Sequence, residues 1–121
     1  MRLYALRGAI TTDSNDAEEI LSATRELVVE LMDRNGLAPE AMVSCIFTMT
    51  PDLDAQFPAV AARGLGLDRV PLLCAREISV PGALPRVIRV LLHYHGGEDH
   101  EPRHVYLRDA RALRTDLEAA Q

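Results

Sequence analysis

The chain has no lysine: all 13 of its basic residues are arginine. Each cationic contact from a Lys/Arg position is therefore a planar, multi-donor guanidinium rather than a point-charge ammonium. Acidic residues number 18 and the net charge is −5, which argues against nucleic acid or an anionic membrane as the general partner. Cysteine is scarce as well. Cys45 and Cys74 make no disulfide framework, and their spacing suggests no metal site. The opening "MRLYALRGAI" carries Arg2 and Arg7 and lacks the apolar run of a signal peptide. No stretch approaches the length of a membrane span, and there are no repeats, low-complexity tracts or linkers. The expectation is one cytoplasmic domain over residues 1–121 with a reduced interior.

What is present reads as a mixed chain. "RLYALRGAI" (Arg2 to Ile10) has the look of a strand, followed by the polar loop "TTDSND". From Ala17 to Gly36 the signals are helical. Asn15 is the expected N-cap with Glu18 three residues on, and Asp13, Asp16, Glu18 and Glu19 suit the positive end of the helix. Ile20, Thr24, Leu27 and Leu31 form its apolar stripe, and Asn35-Gly36 its stop. "MVSCIFTMT" is a second strand cut off by Pro51, and Pro58 begins a short helix that ends near Gly64. Three further strands are expected in "VPLLCAREISV", "RVIRVLLHYH" and "RHVYL". Strands mixed with one strong and one weaker helix give an α+β or mixed α/β sheet with helices on one face.

Three residues interrupt the apolar strands. Arg89 alternates with Val87, Leu91 and His93, so it projects from an apolar face. It is either half of an ion pair with Glu77 or an Asp, or it is kept for an anionic ligand; residue patterning leaves both open. Cys74 and Glu77 are three apart and fall on opposite strand faces, so a shared site requires a bulge between them. Alone, Cys74 reads as a small buried hydrophobe. His93, His95, His100 and His104 lie in "HYHGGEDHEPRH" and invite a metal hypothesis, but the Gly96-Gly97 break favours solvated loop histidines.

"LRGAITT", "TPDLDAQFPAVAAR", "VPLLCAREISVPGALPRVIRVL" and "RHVYLRDARALRTDL" together resemble the AroH-type, monofunctional chorismate mutase family, in the family's order from Arg2 to Leu117. The resemblance implies a pseudo-barrel α/β homotrimer with active sites at the subunit interfaces. It implies an isomerase of phenylalanine and tyrosine biosynthesis that turns chorismate into prephenate by an intramolecular Claisen shift. That reaction needs no cofactor and no general base.

By the same resemblance, Arg89 donates to the ether oxygen and one carboxylate, while Arg7 and Tyr106 bind a carboxylate. Glu77 and Cys74 hydrogen-bond the ring hydroxyl. Phe57, Ala59 and Leu73 form apolar walls, and Arg63 and Arg114 attract the dianion at the mouth. Two positions depart from the family pattern: Val60 stands where a Lys can occur, and Leu73 where a smaller polar Thr can occur. A RidA-like imine deaminase and a non-catalytic trimeric metabolite binder are the alternatives.

Overall fold

A computed structural model describes residues 1–113. Its elements in chain order are β1 (Arg2–Thr11), α1 (Ala17–Asn35), β2 (Met42–Met49), α2 (Pro58–Gly64), β3 (Leu72–Arg76), β4 (Val87–Gly96) and β5 (Val105–Leu107), with short 3-10 turns between some of them. The five strands make one mixed sheet in the order β3-β2-β4-β1-β5. β4 runs antiparallel to both β1 and β2, while β3 lies parallel to β2 and β5 parallel to β1.

The two faces of the sheet differ. On one, Leu6, Ile10, Phe47, Ile88, Val90 and Leu92 are buried beneath the helices. α1 contributes Ile20, Ala23, Thr24, Leu27, Val28 and Leu31 to that core, the 3.6-residue stripe read in the sequence. The buried Thr24 hydroxyl donates back to the Ile20 carbonyl at 2.8 Å, which lets a polar residue sit in the stripe. Gly8 marks the closest approach of helix and sheet. A Cβ there would meet Leu27 and Leu31 at 3.1 Å and Val90 at 3.2 Å, so the glycine of "RGA" is a packing requirement. Among the described residues, the opposite face is covered at one end only, where Ala9 and Val87 are buried against Leu84, Ala110 and Leu113. It exposes Leu3, Leu73 and Leu91.

Several boundaries differ from those expected. The N-cap is Asp16, whose carboxylate accepts from the Glu19 N–H, not Asn15. Asn15 instead accepts from the N–H groups of Asp54 and Ala55 and donates to the Asp54 carboxylate. It ties the start of α1 to the loop before α2. The third strand ends at Arg76, short of Val80, because from Ile78 onward the chain leaves the sheet and is exposed. The register from Leu72 to Arg76 is regular, without the bulge expected between Cys74 and Glu77; the sheet's irregularity lies between Met42 and Ser44.

Candidate active site

The open face of the sheet gathers the cations. One cross-sheet row runs Tyr106–Ala9–Arg89–Thr48–Ala75, one residue from each strand. The next row on the same face runs Arg7–Leu91–Ile46–Leu73. Alternation puts every side chain of these rows on one side of the sheet. Arg7, Arg89, Tyr106 and Thr48 border a cleft of about 280 Å³ with Ile46 and Leu91 in its wall.

Arg89 is paired. Its Nε donates to both Glu77 carboxylate oxygens at 3.1 Å. The Glu77 side chain is 15% exposed and that of Arg89 41%. Arg89 is thus not sunk in an apolar interior: its face of the sheet is covered only at the Ala9–Val87 end. A pair this exposed contributes on the order of 1 kcal/mol or less to stability, so its significance is positional. It occupies Nε, and among the described residues the two terminal nitrogens of Arg89 make no hydrogen bond. Glu77 reaches this position from just beyond β3, where its N–H still bonds the Met49 carbonyl at 2.9 Å. Thr48 Oγ1 donates to Glu77 Oε2 at 2.7 Å. Sequence reasoning missed Thr48, since a threonine in a strand looks like an ordinary β-former.

The "TPDL" segment explains how β4 enters the site. The Asp52 carboxylate accepts from the Arg86 N–H at 3.0 Å, where the backbone is left-handed with φ 52°. Thr50 accepts from the Val87 N–H at 3.0 Å through its hydroxyl, and its own N–H donates to the Val87 carbonyl at 3.0 Å. The end of β2 is thereby stitched to the start of β4, two residues before Arg89.

Arg7 is held by an unexpected partner. Its backbone N–H donates to His104 Nδ1 at 3.0 Å, one residue before β5 begins. The imidazole completes the edge of β1 where β5 has not yet started. Burial, and then the Arg7 charge, lower the pKa of His104 from the usual 6.5, favouring the neutral acceptor. His104 is itself exposed, whereas His100, in the loop after β4, is half-buried. His100 hydrogen-bonds the Tyr94 hydroxyl at 2.7 Å and packs edge-on against Tyr4 and Tyr94. His93 Nδ1 lies 3.2 Å from the Ser44 hydroxyl. Among the described residues no cluster of His, Cys, Asp and Glu is arranged to hold a metal ion.

The remaining expected residues lie elsewhere. Cys74 is the register partner of Phe47 and packs against the helix-side core, so it points away from Arg89 and Glu77. It borders a separate cleft of about 320 Å³ with Met49, Leu53, Phe57 and Arg76. Phe57, at the N-cap of α2, is 63% exposed, and Arg63 is exposed near the end of that helix. Ala59 is buried in the chain's own core, so it makes no wall on the chain surface; the alternation of a short helix puts it inward. Leu73 stands exposed on the open face and Val60 exposed on α2. Arg114 lies outside the described residues. One chain therefore separates the expected residues: Arg7, Glu77, Arg89 and Tyr106 lie on the open face, Phe57 and Cys74 at the other cleft.

Comparison with known proteins identifies the family. The family model for chorismate mutase type I matches residues 3–117. A chorismate mutase AroH of Thermus thermophilus is 52% identical over 118 residues, covering 96% of this chain and 97% of that protein. The AroH chorismate mutase of Bacillus subtilis is 39% identical over 119 residues, covering 97% and 94%. The solved structure of a chorismate mutase from Clostridium thermocellum superposes with a TM-score of 0.88 at 45% identity, over 91% of this chain and 99% of that one. None of these matches supports the RidA-like alternative. With the Arg89 guanidinium paired to Glu77 on the sheet face that also carries Arg7, and a family match across nearly its whole length, the chain belongs to the chorismate mutase type I family.

Proposed function

We propose that this chain is a chorismate mutase, an isomerase that converts chorismate to prephenate in the biosynthesis of phenylalanine and tyrosine. The observation that carries the reading is the Arg89–Glu77 pair, which engages Nε and not the terminal nitrogens of an arginine that lines a cleft with Arg7 and Tyr106. Chorismate is a dianion. Its rearrangement breaks a C–O bond while a C–C bond forms, so the protein must hold the folded conformer and stabilise negative charge on the ether oxygen.

Arg89 donates to that oxygen and one carboxylate, and Arg7 and Tyr106 take a carboxylate. A guanidinium suits both tasks because its donors form a rigid fork. Glu77 holds Arg89 and accepts from the ring hydroxyl. Cys74 donates to the same hydroxyl, Phe57 and Leu73 wall the ring, and Arg63 and Arg114 draw the dianion in. None of these roles involves a cofactor, a metal, nucleic acid or a membrane.

The separation of the Phe57–Cys74 cleft from Arg89 and Glu77 supports a homotrimer. A sheet face exposing Leu73 and Leu91 is normally covered. If the open face of one copy meets the Phe57–Cys74 cleft of the next, Cys74 and Phe57 join Arg89 and Glu77. Such a head-to-tail contact closes into a ring. We read residues 1–121 as one domain, and the setting as cytoplasmic. Among the described residues no helix is long and apolar enough to cross a membrane. Conversion of chorismate to prephenate by the purified protein tests the proposal.

A further inference from the structure

Glu77 is held by little backbone. β3 has ended, one main-chain hydrogen bond remains at its N–H, and Ile78, Ser79 and Val80 are exposed. The position of its carboxylate is set by side-chain donors. Arg89 Nε supplies one, and the second is Thr48 Oγ1, at 2.7 Å from Oε2. An ionised carboxylate only accepts, so the Thr48 hydroxyl is the donor. Thr48 is the register partner of Arg89 across β2 and β4, and it borders the same cleft as Arg7 and Tyr106. Its β-branched side chain has few rotamers on a strand, which makes it a stiff post.

We propose that Thr48 is a positioning residue for the reaction. It acts through Glu77: by anchoring Oε2 it keeps the carboxylate on Arg89 Nε, so the terminal nitrogens of Arg89 are presented to the developing charge in one orientation. Without the hydroxyl, Glu77 keeps a single side-chain donor at the end of an exposed segment, and Arg89 loses its fixed counterpart. Small displacements of such a donor are costly because catalysis here is geometric.

The inference rests on the chorismate mutase reading, and the test separates the two. Steady-state turnover of chorismate is measured for the wild type, Thr48→Val, Thr48→Ala and Thr48→Ser, each confirmed as folded by circular dichroism and as the wild-type oligomer by light scattering. Thr48→Val keeps the shape and removes the donor; Thr48→Ala removes it without a new methyl group against Glu77. Loss of one hydrogen bond to a charged group predicts a fall of about 10- to 100-fold in kcat for both, with KM changed less than about threefold. Thr48→Ser retains the donor and stays within about threefold of the wild type. Wild-type kcat in Thr48→Val, or a loss in Thr48→Ser equal to that in Thr48→Val, overturns the positioning role alone. Absence of turnover in the wild type overturns the functional reading and this inference with it.

Discussion

Arg89 Nε lies 3.1 Å from both carboxylate oxygens of Glu77, across the junction between the end of β3 and the middle of β4. The contact ties down the one nitrogen of the guanidinium that is part of its stem. The fork beyond it is left for a ligand. A lysine cannot reproduce this, because one ammonium cannot hold Glu77 and also present two donors in a plane. Arg89→Lys is expected to fold and assemble as the wild type does and to lose about 10²–10³ in kcat, the usual cost of a preorganised donor. Turnover near that of the wild type would remove Arg89 from the centre of the account.

The exposed part of the sheet face, at Leu73 and Leu91, makes a statement about mass. With a 13.3 kDa chain, sedimentation equilibrium should give about 40 kDa, three copies in a closed ring. Leu91 lies in the middle of that face, 37% exposed. A charge there is costly to bury without a partner, so Leu91→Glu should shift the protein toward monomer and reduce turnover as it does so. A wild-type monomer that converts chorismate would contradict the shared site.

The two thiols should behave differently. Burial, and then the neighbouring Cys74, push the Cys45 thiol up to about 12, so at neutral pH it is neither ionised nor accessible. Cys74 borders a cleft. A disulfide reagent should modify Cys74 before Cys45, and a dicarboxylate analogue of the substrate should slow that reaction. Cys74→Ser should remain active, because a hydroxyl also donates. Loss of all activity in Cys74→Ser would point to nucleophilic chemistry instead.

His104 gives a pH dependence whose sign follows from its environment. Its folded pKa lies below the unfolded value of 6.5 because burial and Arg7 disfavour the charged ring. The folded state therefore binds fewer protons than the unfolded chain as the pH falls. The stability contributed is present above about pH 6.5 and is lost as the pH drops through the lower, folded value. At a fixed protein concentration, the gap in urea midpoint between wild type and His104→Gln should be widest near neutrality and narrow on acidification. A gap that widens in acid would contradict a neutral His104 accepting from the Arg7 N–H.

Much of this was legible in the residues, for reasons that differ from site to site. α1 announced itself because its stripe from Ile20 to Leu31 repeats over about three turns and the helix ends on Asn35-Gly36. Its N-cap was displaced by one residue because Asn15 and Asp16 can both cap, and only the loop at Asp54 decides which one does. Alternation correctly put Cys74 and Glu77 on opposite faces; the bulge expected between them is absent from β3, whose register is regular to Arg76. Ala59 turns inward while its neighbours Phe57 and Val60 are exposed, which residue order in a short helix does not reveal. Thr48, His100 and His104 carried no local signal. Their partners, Glu77, Tyr94 and the Arg7 N–H, are 29, 6 and 97 residues distant and are brought near by sheet register or by the β4–β5 loop.

The central claim is that a fixed guanidinium on an open sheet face rearranges a bound dianion. The most direct test is to add purified protein to chorismate and follow its loss and the appearance of prephenate, with Arg89→Ala alongside. The account predicts prephenate from the wild type, one for each chorismate lost, and almost none from a folded, trimeric Arg89→Ala. Chorismate left intact by a folded wild-type trimer would contradict it and leave a protein that binds the dianion without transforming it.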